Sequence, residues 1–107
     1  MKPILIVIAL LVAHAQPSGF VYLGEVDVET NKWLHANSTS FAEPDVKFPA
    51  CPELVSVTVN VRAVDSFSLR TEPYPRAETK MRVKPGNTVT VTGLCVVDQK
   101  HVWGNVK

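Results

Sequence analysis

Apolar and polar residues alternate with period two through most of the second half of the chain, and no stripe of period 3.6 interrupts them. Leu54 to Arg62 alternates cleanly and is rich in β-branched residues, which predicts a strand. Phe67 to Arg70 alternates again. Thr71 to Glu78 reads as a loop, because Pro73 and Pro75 lack backbone donors and restrict their neighbours. Lys80 to Lys84 predicts a further strand, and Pro85-Gly86-Asn87 a turn. Thr88 to Val97 predicts a long strand, with Gly93 marking a bulge or bend. Asp98 to Lys100 is a turn before a last short strand from His101. Five or six short strands with turn signals every 8–12 residues predict a small all-β barrel or sandwich over residues 54–107.

The first half patterns differently. Residues 16–53 hold Pro17, Gly19, Gly24, Pro44, Pro49 and Pro52, with short strand-like runs at Phe20 to Leu23 and Val26 to Val28. They are expected to form an irregular N-terminal arm laid on the domain, anchored by Trp33, Phe41 and Phe48. So many aromatics argue against free disorder. Ahead of the arm, Lys2 supplies a positive start and Ile4 to Val12 an apolar run. Ala13-His14-Ala15 fits a small-x-small cleavage pattern, so residues 1–15 are expected to be a signal peptide cleaved before Gln16. The run is short of the roughly 20 residues a bilayer span needs, and no later segment approaches that length. The chain is therefore expected to be secreted or periplasmic, with no stable membrane span.

Charge and cysteine content refine this picture. Residues 16–53 carry six acids and two lysines, whereas residues 54–107 carry eight bases and four acids. The asymmetry either draws the arm onto the domain or leaves a basic face for an anionic partner. The near-neutral balance gives no reason to expect nucleic-acid binding. Cys51 and Cys95 are the only cysteines. In an oxidising compartment the pair reads as one disulfide, whose loop closure stabilises by roughly 4 kcal/mol in the chain-entropy account. The competing reading, a metal or redox thiol pair, lacks a CxxC spacing, and no metal site is expected. Asn37-Ser38-Thr39 is an N-glycosylation sequon, relevant if the source is eukaryotic.

The order Ser68-Leu69-Arg70-Thr71-Glu72-Pro73, then Val83-Lys84-Pro85-Gly86-Asn87-Thr88-Val89-Thr90-Val91, then Val102-Trp103-Gly104-Asn105-Val106 resembles the bacterial SH3 (SH3b) family over residues 60–107. Ser68 replaces the family's usual Asn, and Trp103-Gly104 inverts its commoner Gly-Trp order. The resemblance implies a small SH3-like barrel and recognition of peptidoglycan peptide or a protein partner. It places the ligand surface around Arg70, Tyr74 and Trp103. Read from the residues alone, Arg70 is either a loop brace or a fork for a ligand carboxylate. Tyr74, between two prolines in an exposed loop, either contacts ligand or lies over Trp103 as a lid.

No constellation for catalysis is visible. There is no GxSxG elbow, both cysteines suit a disulfide, and Glu25, Asp27 and Glu29 at period two look like a solvated strand face. His101 reads as a surface histidine. The sequence thus predicts a non-enzymatic binding module without cofactor. The alternative is a small structural subunit or inhibitor of an envelope assembly acting through its arm.

Overall fold

Alternating valine and threonine give one buried and one solvated face to the first half of the longest strand, Thr88–Thr92, and turns sit where Gly, Pro, Asn and Asp cluster. A computed structural model describes residues 17–107, so the expected signal peptide lies outside the described residues. The chain forms β1 (Gly19–Asp27), β2 (Lys32–His35), β3 (Thr39–Ser40), β4 (Val55–Ala63), β5 (Phe67–Arg70), β6 (Thr79–Val83), β7 (Thr88–Val97) and β8 (His101–Val106). All eight belong to one sheet in the order β3-β4-β7-β8-β1-β5-β6, with β2 added to β1, and every strand pair is antiparallel.

The sheet has to coil. β4 and β5 stand four strand intervals apart in the order, yet only Val64, Asp65 and Ser66 join them. In a flat sheet that separation is about 19 Å, whereas the link reaches at most about 14 Å. Coiling gathers the inner faces into a single cluster to which β1, β4, β5, β6, β7 and β8 all contribute. Val21, Val61, Ala63, Leu69, Val91, Leu94 and Val102 are its fully excluded members. The edge strands β3 and β6 do not pair with each other, so the sheet is curled but not closed.

Two bulges keep apolar residues inward along the long strands. In β7, Val89 and Val91 face the core, and so do Leu94 and Val96. The change of parity falls where the β8 register shifts between Val91 and Gly93, the glycine expected to mark a bulge. β1 does the same: Val21 and Leu23 are buried, then Val26, with a register shift between Tyr22 and Gly24. Gly24 has φ +126°, and an added Cβ would overlap the Leu34 carbonyl, so only glycine fits.

The expected irregular arm is corrected here. Residues 19–27 are not an arm but a nine-residue strand flanked by β8 and β5. The strand count is eight rather than five or six. Residues 41–49, by contrast, carry no strand. They are held by Trp33, which packs edge-on against Phe41 and Phe48 at ring separations of 5.3 and 5.5 Å. These three aromatics are the anchors the sequence suggested, and all pack against the core. The chain then runs beside β7: Val96 N–H donates to the Pro49 carbonyl and Cys51 N–H to the Val96 carbonyl. That contact brings Cys51 to Cys95, and the two form a disulfide with Cα atoms 4.9 Å apart. Such a cross-link is the mark of an oxidising environment, extracellular or periplasmic. Among the described residues no helix is long and apolar enough to cross a membrane.

Candidate functional site

The outer face of β8 and β1 carries the aromatic residues. Trp103 lies opposite Tyr22 in the β1–β8 register and opposite Cys95 in the β7–β8 register, so the three share one face. The Tyr22 and Trp103 rings are 5.2 Å apart and tilted by 59°. The Tyr22 hydroxyl and His101 Nδ1 are hydrogen-bonded at 2.8 Å. Burial raises the Tyr22 pKa, and the Glu25 carboxylate adds to the effect, so the phenol stays protonated and able to donate.

The loop between β5 and β6 forms the opposite wall. Thr71 N–H donates to the Glu78 carbonyl at 2.9 Å, which closes the loop at its base. Arg70 Nη1 donates to the Ala77 carbonyl at 2.9 Å and to Thr79 Oγ1 at 3.1 Å. The loop-bracing role considered for Arg70 is therefore present. Pro73 is buried and fixes the loop to the domain, while Tyr74 beside it remains 47% exposed.

Between these walls runs a groove of about 760 Å³, lined by Tyr22, Arg70, Pro73, Tyr74, His101 and Trp103. The structure thus places Arg70, Tyr74 and Trp103 along one groove. Their roles in it differ. Tyr74 stands at the rim, Arg70 is half-buried, and Trp103, 3% exposed, belongs to the floor. Aromatic and proline faces suit stacking against an extended chain, Arg70 offers donors to an acceptor on it, and Asp98, which also lines the groove, offers an acceptor.

A second depression, of about 600 Å³, lies between the β1–β2 turn and the turn at Asp98 to Lys100. Its charges are mixed, and Lys100 Nζ is 3.3 Å from Glu25. Asp27 ends β1 and accepts from the N–H groups of Glu29 and Thr30, which hold its carboxyl below the usual range. Glu25 and Asp27 lie on the outward face of β1, as expected, while Glu29 falls beyond the strand in the turn that Asp27 caps. Among the described residues no group of three or more His, Cys, Asp or Glu is placed to hold a metal ion. Asn37 lies in the exposed turn between β2 and β3.

The sequence did not single out Tyr22 as a groove residue, gave Pro73 only a loop role, and gave no partner to the surface histidine His101. The alternation of Phe20 to Leu23 was the available signal for Tyr22, since a strand with Val21 and Leu23 inward turns Tyr22 outward. Comparison with protein-family models, with curated proteins and with solved structures finds no match to the chain.

Proposed function

We propose that the protein is a secreted or periplasmic, non-enzymatic binding module of the SH3b-like kind, and that its groove takes cell-wall peptide. The observation that carries this reading is the groove itself, which draws Arg70 and Tyr74 to one surface over the Trp103 floor. Exposed aromatics beside a rigid floor offer large contact area at small entropic cost. Recognition of a protein segment would use the same surface. The alternative, a small structural subunit or inhibitor of an envelope assembly acting through residues 16–53, is less favoured, because β1 is built into the middle of the sheet.

The test is co-sedimentation of the oxidised protein with purified insoluble peptidoglycan, against an inert polysaccharide. Selective sedimentation that Tyr74→Ala abolishes supports the groove. A protein left wholly in the supernatant rejects the cell-wall reading and directs the search to a protein partner.

A further inference from the structure

Beside the groove lies a recess of about 240 Å³ at β5 and β6, which shares Tyr22, Arg70 and Trp103 with the groove and adds Ser66, Ser68 and Arg82. Strand register builds this neighbour. Ser68 lies opposite Arg82 in the β5–β6 pair, and Phe20 opposite Arg70 in the β1–β5 pair. The outer face therefore passes from aromatic rings on β8 and β1 to guanidinium groups on β5 and β6.

The chemistry of the recess is that of an anion site with no anion supplied by the fold. Arg82 Nη1 donates to Ser68 Oγ at 3.0 Å and Nη2 to Ser66 Oγ at 2.8 Å. Both hydroxyls are spent as acceptors toward a cation, which leaves the proton of each free to be donated elsewhere. Arg70 uses Nη1 on the loop, and its other guanidinium N–H groups have no acceptor among the described residues. No Asp or Glu lines the recess, and among the described residues neither arginine forms an ion pair. Two like charges lining one small recess repel each other, and an anion between them relieves that repulsion.

We propose that this recess holds a free carboxylate of the cell-wall peptide whose apolar portion lies in the groove. The proposal rests on the groove reading above and adds the end group and its polarity. Charge complementarity selects a carboxylate over an amide, because both can accept from guanidinium and hydroxyl donors but only the ionised group adds an attraction between opposite charges. The peptide then runs with its carboxylate toward β6 and its preceding residues past Trp103 and Tyr74.

The experiment compares native peptidoglycan with the same material after its free carboxylates are capped with glycinamide by carbodiimide coupling. Capping is expected to weaken binding about tenfold, the ratio set by loss of one charge-assisted contact. Arg82→Gln, on an exposed strand position, is expected to bind native material as weakly as the parent binds capped material. Lys100→Gln serves as the control for general charge and is expected to bind as the parent does. Equal binding of native and capped material overturns the carboxylate assignment and leaves the groove reading standing. Binding of neither material rejects both.

Discussion

Gly104 offers a quantitative test of how tightly the curled sheet is packed. It lies on the inner face of β8, opposite Leu94. A Cβ added there would sit 2.9 Å from both Val91 methyl carbons and 3.2 Å from Leu23 Cδ1. Both neighbours are fully buried, and a valine in a strand has little rotamer freedom with which to yield. Overpacking of this kind costs about 1–3 kcal/mol, so Gly104→Ala is expected to destabilise by about 2 kcal/mol. For a domain this small that lowers the Tm by about 8–16 °C. Val91→Ala removes the two carbons the new methyl would meet, and alone it costs about 2 kcal/mol through the cavity it opens. Together the two changes are expected to cost less than their sum by about 1–2 kcal/mol, because each relieves the defect of the other. Urea unfolding of the oxidised variants, followed by the fluorescence of buried Trp103 and half-buried Trp33, measures all four corners of the cycle. Additivity within about 0.5 kcal/mol, or a Gly104→Ala variant as stable as the parent, would refute the packing described for β1, β7 and β8.

Four further outcomes are expected. Gly24→Ala places an L-residue at φ +126° with its Cβ 2.8 Å from the Ala36 nitrogen, and a loss of about 3 kcal/mol or more should appear in the same unfolding assay. Replacing Cys51 and Cys95 together by serine opens a loop of sequence separation 44 and should cost about 4 kcal/mol, read as a fall in the urea midpoint. Because the Tyr22 pKa lies above its ordinary value near 10.0, its contribution to stability is complete below that value and is lost as pH rises through the folded-state pKa. Ultraviolet titration should show one tyrosine ionising late, and Tyr22→Phe should remove that phase. Tyr74→Ala, at a position 47% exposed, should leave stability within about 0.5 kcal/mol of the parent while abolishing peptidoglycan binding.

Strands β4 to β8 were legible because each either alternates strictly or ends at a Gly, Pro, Asn or Asp turn. β1 was harder to read. The bulge at Gly24 shifts its inward positions from Val21 and Leu23 to Val26, so alternation breaks midway and leaves two fragments in place of one strand. β2 and β3, four and two residues long, are too short to carry a period. The disulfide followed from cysteine count and compartment. Within the groove, Arg70 and Tyr74 stood out by their motif and their loop. The Tyr22–His101 contact spans 79 positions in sequence, and the Arg82–Ser66 contact joins β6 to the link between β4 and β5. Such neighbours are set by which distant segments come together, which no short window of sequence displays.

The pairing of β1 with β8 also dictates when the protein folds during its own synthesis. Gly19 meets Val106 and Glu25 meets His101, so the earliest strand in the described chain finds one of its flanking partners in the last. A nascent polypeptide halted before residue 101 lacks that neighbour, and the hairpin with β2 is too small to persist by itself. Order in the β1 region therefore awaits emergence of β8 from the ribosome. Contacts this distant also place the chain among slow, millisecond-to-second folders. Until residues 101–106 have emerged, the first strand of the described chain stays extensible.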